Sequence, residues 1–455
     1  MPRQFLSNPS GDDLPRSADA IIIGGGPTGT AILWALARAQ PDFRAVLIER
    51  APQLAAGSST ASLENFRTCW PAPSQMKLMT RSIHIFEQHA EFFGERGAAI
   101  NARRHGYLYC GITDADAARL QAEVAHLHDI GLAHIEYLDT DEVQARHGWL
   151  GDRLIAGKYD PIAGWLDSHA LVYAFAQSAP NAHILLDVPD TQIVVEGGRV
   201  LGVRTPNGFI ASPHVVIAAG AWSRQVGRTA GVELPIIMRP RQSFTTGWRH
   251  PEFPADSPMI IGASPYQHVR PEAGTGAIFG WEYEWNTRKT LPDQPVSDHL
   301  IDPVDPVSQF KDPRFPSLAL AVFARQFGHA DSIGFAHPGY QRKPDHHVGY
   351  YVSRDATCAY TTDAHGARHP YDSQRAIMDV VPGVEGLFMS VAHVGHGIMS
   401  APATGEIMAS LLLDQPLPDP DYAAFKLNVP SVEYDIGGLG ASETTTSAVS
   451  IGDAS

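Results

Sequence analysis

Two hydrophobic patterns alternate along the chain. Short apolar runs rich in β-branched residues read as strands buried on both faces, and stretches with apolar residues three and four apart read as helices. The first pair is Ala20–Ile23, a strand, followed by Ile32, Leu33, Leu36 and Ala37 at helical spacing. A second strand, Phe43–Glu49, comes next. The same reasoning predicts a strand at Gly106–Cys110, an amphipathic helix at Asp114–Ile130 and a helix at Ser168–Ala179. Strands are expected at Gln192–Arg204, Val215–Ala219, Ser243–Trp248 and Ala277–Tyr283. The last helix runs over Thr404–Leu413, with Ser400 as its N-cap and Pro402 in its first turn. His346 and His347 read as a polar loop, and there is no internal repeat.

Composition narrows the class. With 44% apolar and 18% charged residues the 455-residue chain is globular, long enough for two large domains without disulfide staples. A formal charge of −15 argues against a nucleic-acid partner. Cys69, Cys110 and Cys358 are too few and too scattered for a disulfide framework or a metal site. His393 and His396 lack a carboxylate or cysteine at ligand spacing, so no metal is expected. Residues 1–17 are polar and acidic, unlike a signal peptide, and are expected to lack order, as is the Ser/Thr-rich tail 431–455. No apolar run is long enough to span a membrane, which makes a cytoplasmic protein the expectation.

The segment after the first strand carries chemistry. Gly24-x-Gly26-x-x-Gly29 follows Ala20–Ile23 and opens the helix that begins at Pro27 and Thr28. Gly24 allows the tight turn, Gly26 lets backbone amides approach a pyrophosphate, and Gly29 lets helix and strand pack closely. The helix N-terminus presents its positive pole to phosphates. Glu49, at the end of the second strand, is placed to accept hydrogen bonds from a ribose and repels a 2′-phosphate. Strand, glycines, helix, strand and acid together imply a dinucleotide, without separating FAD from NAD.

Three further segments carry a family resemblance. Ser58-Ser-Thr-Ala-Ser-Leu-Glu-Asn-Phe-Arg67 resembles the Ser/Thr-rich flavin loop of the D-amino-acid oxidase superfamily. His214-Val-Val-Ile-Ala-Ala-Gly-Ala-Trp-Ser223 is similar to its "VVxAAGAWS" strand, and His393 to Glu406 to its "GxSGHGxxxAPxxGE" segment. The nearest branch is the sarcosine-oxidase-like one. The resemblance implies an α/β (α+β) fold with FAD as cofactor. A discontinuous Rossmann-type FAD-binding domain (18–97, 153–234 and 353–430) would be roofed by a substrate domain on a mixed or antiparallel sheet (98–152 and 235–352). It implies cofactor contacts from Gly24, Gly26, Pro27, Thr28, Gly29, Glu49, Arg50, Ser58, Ser59, Thr60, Val188, Ala219, Gly220, Trp222, Gly395, His396, Gly397 and Ile398.

The family's reaction takes a hydride from a C–H beside nitrogen, or sometimes oxygen, and delivers it to flavin N5. Arg67 matches the family's arginine for the substrate carboxylate, with Arg239, Arg241 and Arg270 as weaker candidates expected at the surface. Cys358 resembles the cysteine of a "CxYT" segment bonded to the flavin 8α-methyl, although the acid that follows it in the family is displaced here to Asp363 or Asp372. Two family lysines are replaced, by Ile278 in the "GxGxKxG" strand and by Met399 after the Gly395-His396-Gly397 turn. Their loss puts sarcosine and fast reaction with oxygen in doubt.

The expectation is therefore an FAD-dependent oxidoreductase acting on a C–N bond of an amine or N-substituted amino acid, with imine hydrolysis. Its site residues would be Arg67, His396, Met399 and Ile278. Electrons would pass to O2 or to an electron-transfer partner, and a homo-oligomer or hetero-complex stays open. A 2-hydroxy-acid dehydrogenase, a flavin-binding assembly factor and an NAD(P)H-dependent hydroxylase are the rival readings.

Overall fold

The computed structural model describes residues 4–281, 300–329, 334–355, 360–362, 368–370 and 375–429. Its first layer is a seven-stranded sheet in the order Phe5–Ser7, His183–Leu186, Ala45–Ile48, Ala20–Ile23, Val215–Ile217, Leu387–Val391 and Ile377–Val380. All pairings are parallel except the last. The central strand shows why its residues are uniformly apolar. Ala20 and Ile22 face a helical layer containing Trp34, Phe86 and Phe175, whereas Ile21 and Ile23 face Ile193, Val203 and Ile210. That second face is covered by an antiparallel meander over Gln192–Glu196, Arg199–Thr205 and Gly208–Ala211.

The helices Pro27–Ala39 and Gly397–Leu412 lie together in the helical layer. Gly405 makes this possible, because a Cβ there would stand 2.4 Å from the Ala31 carbonyl oxygen. The N-terminus of the closing helix differs from expectation. His396 is the N-cap, the helix starts at Gly397, and the Ser400 hydroxyl donates back to the His396 carbonyl at 2.9 Å. Pro402 thus sits inside the helix rather than in its first turn.

The second sheet has eight strands, in the order Asp345–Arg354, Ile236–Thr246, Gly276–Trp281, His268–Glu272, Met259–Ile261, Tyr107–Gly111, Ala156–Asp160 and Glu136–Leu138. Only the pair Met259–Ile261 and Tyr107–Gly111 is parallel. One face packs on the helix Phe315–Gln326 through Phe244, Phe279 and Phe323, the first two stacked at 4.8 Å. The other holds Tyr107, Tyr109, Met259 and Ile261, backed by Leu120 and Val124 of the helix Asp114–Asp129.

Several expectations need correction. Residues 5–7, within the segment expected to lack order, form an edge strand against His183–Leu186, itself missed in the sequence. Gln192–Arg204 is a hairpin, because Gly197 and Gly198 turn the chain at φ 58° and 79°. His346 and His347 lie in the strand Asp345–Arg354, not in a loop, with His346 stacked on Phe315. Ala156–Asp160 pairs within the eight-stranded sheet, on the far side of the 152/153 boundary, and Asp345–Arg354 runs past residue 352. The segment 431–455 and Cys358, Asp363 and Asp372 lie outside the described residues.

Candidate active site

The glycines of the first turn have separable roles. Gly24 adopts φ 121°, and a Cβ there would meet the Ala218 carbonyl oxygen at 2.3 Å. A Cβ on Gly29 would lie 1.9 Å from the Gly24 oxygen, so the helix approaches the turn only without one. Gly26 is different, for its Cβ would meet nothing within 4 Å. The floor of the cleft is bare backbone there, and the amides of Thr28 and Gly29 begin a helix in which no carbonyl precedes them. Glu49 is largely buried. Its carboxylate accepts from the Gly25 amide at 2.7 Å and the Ala51 amide at 2.8 Å. Burial pushes its pKa up despite those bonds.

These residues line a cleft of ≈ 590 Å³ that runs from the glycine turn to the loop before the last helix. Gly24, Gly26, Pro27, Thr28, Glu49, Arg50, Ser58, Ser59, Val188, Ala219, Gly220, Trp222, Gly395, Gly397 and Ile398 all face it. Arg50 lies 4.3 Å from the Trp222 ring centroid and pairs with Asp305, which also lines the cleft. Gly29 and Thr60 do not line it. The Thr60 hydroxyl turns back to the Gly57 carbonyl at 3.1 Å. The donor set suits a dinucleotide: bare amides and a helix N-terminus for phosphates, and a carboxylate for a ribose.

At its far end the cleft meets a chamber of ≈ 110 Å³, and Ser58, Ser62, Tyr351, Val394, Gly395 and Ile398 belong to both. The backbone is unusual at this junction. Ala392 and Val394 take φ 61° and 50°, a region costly for a β-branched residue, and Val394 is held there by the hydrogen bond its N–H donates to the Val352 carbonyl at 2.8 Å. Gly395 is required by contact, since a Cβ would stand 2.6 Å from the Tyr351 ring.

Arg67 lines the chamber and is 7% exposed. Its guanidinium lies 4.0 Å from the centroid of the Trp70 ring and 5.8 Å from that of Tyr107. The other side of the Trp70 environment is taken by His396, its ring 4.2 Å away at 75°. His396 Nδ1 is 3.5 Å from Gln75 Nε2. Burial, then the charge of Arg67 and the neighbouring His393, holds the His396 pKa well below its ordinary value, so the ring is neutral. Asp160, fully buried, fixes the segment that follows Arg67. It accepts from the Thr68 amide and hydroxyl, both at 2.8 Å, and from the amides of Cys69, Ile162 and Ala163.

Met399 lines the chamber, whereas Ile278 does not. Ile278 packs in the apolar face with Tyr107, Met259 and Leu63. Of the weaker arginine candidates, Arg270 is not a surface charge. It is 3% exposed and bonded to the Leu63 carbonyl at 2.8 Å and to Glu272. Arg241 does line the chamber. Tyr351, Trp70 and Asp160 went unrecognised in the sequence. Only Trp70, three residues after Arg67, gave any local signal. Among the described residues no group of three or more His, Cys, Asp or Glu could hold a metal ion, and no helix is long and apolar enough to cross a membrane.

A parallel sheet with a glycine-turn dinucleotide cleft, opening on a small cation-bearing chamber under a second sheet, defines a flavin-dependent oxidoreductase. The FAD dependent oxidoreductase family matches residues 19–411, and the chain belongs to it. FAD is its cofactor. The mitochondrial dimethylglycine dehydrogenase of Rattus norvegicus is 27% identical over 283 residues, 60% of this chain and 32% of that protein. Sarcosine oxidase subunit beta of Rhizobium meliloti is 25% identical over 277 residues, 58% of this chain and 64% of that subunit. The chain thus spans about a third of the dehydrogenase's length. In fold it is similar to L-proline dehydrogenase from P. horikoshii, with a TM-score of 0.69 at 20% identity over 91% of this chain and 97% of that one.

Proposed function

We propose that the protein oxidises the C–N bond of an N-substituted amino acid or related amine. The observation that carries this reading is the junction of cleft and chamber at Tyr351 and Gly395, with Arg67 buried in the chamber wall. Bound FAD supplies an acceptor for the hydride on the carbon next to nitrogen. The remaining work belongs to the chain. Gly24, Gly26 and the N-terminus at Pro27 hold the pyrophosphate, and Glu49 the adenosine ribose. Ser58, Ser59 and the Gly395–Ile398 turn hold the flavin end. Arg67 takes the substrate carboxylate with a forked, charge-assisted contact and so fixes the reacting carbon. Met259, Ile261, Trp281 and Met399 give the chamber apolar walls that keep water away during oxidation. A neutral His396 adds no charge against the cationic iminium product. That product leaves the chamber, adds water and breaks down to a carbonyl compound and the free amine. Electrons then pass to O2 or to an electron-transfer partner.

Anaerobic flavin bleaching tests the reading. N-methyl amino acids should reduce the bound flavin, and the matched 2-hydroxy acids should not. Reduction by hydroxy acids alone would replace amine oxidation with C–OH oxidation. Reduction by NADPH would instead point to a hydroxylase.

A further inference from the structure

The chamber holds a second guanidinium. Arg241 stands on the strand Ile236–Thr246, in register with Gly349, and lines the chamber with Arg67. Its surroundings differ from those of three well-bonded buried arginines, Arg270, Arg224 and Arg354. Arg270 is bonded to Leu63 and Glu272, and Arg224 to the Ile236 carbonyl at 2.7 Å and to Glu233. Arg354 reaches the carbonyls of Arg375 and Ala376, both at 2.7 Å. Arg241 has one long contact, 3.5 Å to the carbonyl of its own neighbour Pro240, and lies 5.8 Å from the Tyr351 ring centroid. Its Nε is buried without a hydrogen-bond partner.

Among the described residues the chamber has no anion to spare for it. Glu64, the carboxylate in the wall, is bonded to the Ser168 hydroxyl at 2.5 Å and the Ser168 amide at 3.2 Å, and it faces Arg270. Gln242 accepts from the Asp312 amide at 2.8 Å, and the Ser243 hydroxyl donates to the Ala61 carbonyl at 2.8 Å. A partly buried cation without an internal counter-ion is costly unless a ligand supplies the anion. The chain's formal charge of −15 gives no long-range attraction for such a ligand, so the attraction must be local.

We propose that Arg241 is a second anion-binding group of the chamber, so that the preferred substrate is an N-substituted amino acid carrying two acidic groups. Arg67 takes one carboxylate and Arg241 the other, with the reacting carbon held between them. The inference rests on reading the chamber as the substrate site.

The test uses the FAD-loaded protein and unreactive acids, so that it needs no turnover. Succinate, glutarate and butyrate are titrated while the flavin absorbance is followed. The diacids should bind about tenfold or more tightly than butyrate, as one extra charge-assisted contact implies. Arg241→Gln should bring that ratio close to one. Equal binding by the wild type, or an Arg241→Gln variant that holds FAD and keeps the ratio, overturns the proposal. Should Arg241→Gln fail to hold FAD, Arg241→Lys decides. It keeps the charge and loses the fork, so a ratio lowered several-fold supports the assignment and a wild-type ratio refutes it. Diacid selectivity without reduction by any amine would sink the C–N chemistry and leave the second anion site standing. Reduction by amines without diacid selectivity would do the reverse.

Discussion

The cofactor cleft and the substrate chamber meet at Tyr351 and Gly395, yet they are built in opposite ways. The phosphate end of the cleft is backbone. Gly24, Gly26 and Gly29 act through the absence of a Cβ, and the helix N-terminus through its amides. The chamber is side chains, brought together from the Ser58–Arg67 segment, six strands of the eight-stranded sheet and the Gly395–Met399 turn. Backbone geometry at a tight turn depends on a few adjacent residues. A side-chain chamber depends on the register of strands far apart in sequence, so its residues tolerate exchange more readily. One cofactor site can therefore serve many substrates.

The sharpest way to break this contrast is at the glycines. Gly29→Ala puts a Cβ 1.9 Å from the Gly24 oxygen and must move the helix. It is expected to yield colourless protein, with FAD affinity down more than a hundredfold and stability down by about 1–3 kcal/mol. Gly26→Ala should melt like the wild type without FAD and still bind FAD poorly, because its Cβ projects only into the cleft. Flavin absorbance and thermal melts of both apoproteins check this. Normal FAD content in Gly29→Ala would end the backbone account. Next in size is Arg67→Gln. It should keep its flavin while the rate constant for anaerobic reduction at low substrate falls about a hundredfold or more. Loss of FAD instead would show that Arg67 serves the cleft and not the chamber.

Legibility follows the same division. The glycine turn, Glu49 and the central strand could be read because each is specified within about thirty residues, and their spacing follows from the phosphate contact itself. The Gly197–Gly198 pair is also a local turn signal, although the apolar pattern on either side of it reads as one long strand. Ser400 reads as an N-cap, but the cap lies four residues earlier, at His396, which makes no side-chain bond there. No local pattern distinguishes such a start. Tyr351 and Asp160 had no signal at all. Tyr351 faces the junction through its place in a strand paired with Ile236–Thr246, and Asp160 reaches Thr68 across 92 positions of sequence. Arg270 reads as a surface charge because the Leu63 carbonyl and Glu64 that take it inward are distant in sequence, and Glu272 two residues on says nothing of burial.

A gentler probe acts on the chamber from outside. Asp160→Asn keeps the shape and replaces one acceptor by an NH2 group, which must face either the amides of Thr68 and Cys69 or those of Ile162 and Ala163. About 1–3 kcal/mol of stability should go with that bond. Reduction by substrate should slow about tenfold, mostly through weaker substrate binding, because the segment carrying Arg67 loosens. FAD affinity should hold. A variant with wild-type substrate affinity would detach Asp160 from the chamber.

The smallest effect compares one histidine at the cleft with one in the roof. His393 lines the cleft, its Nε2 3.0 Å from the Ser390 hydroxyl, and His147 packs beside Tyr159 in the second sheet's surroundings. Burial pushes both pKa values down to about 4. An unfolded chain takes up these protons near pH 6.5, whereas the folded one resists until about pH 4. Each ring therefore adds no penalty above pH 6.5, and stability is lost as the pH falls through that window. The upper limit is about 1.4 kcal/mol per pH unit for each histidine. Chemical denaturation between pH 7 and 4 should show the slope, and His147→Gln or His393→Gln should each flatten it in part. The two variants should part company over the cofactor. Acid release of FAD should shift with His393→Gln, which changes the cleft wall, and stay put with His147→Gln, which lies among the aromatics of the roof. Equal shifts in FAD release from the two would mean that acid acts on the whole fold and not on the cleft.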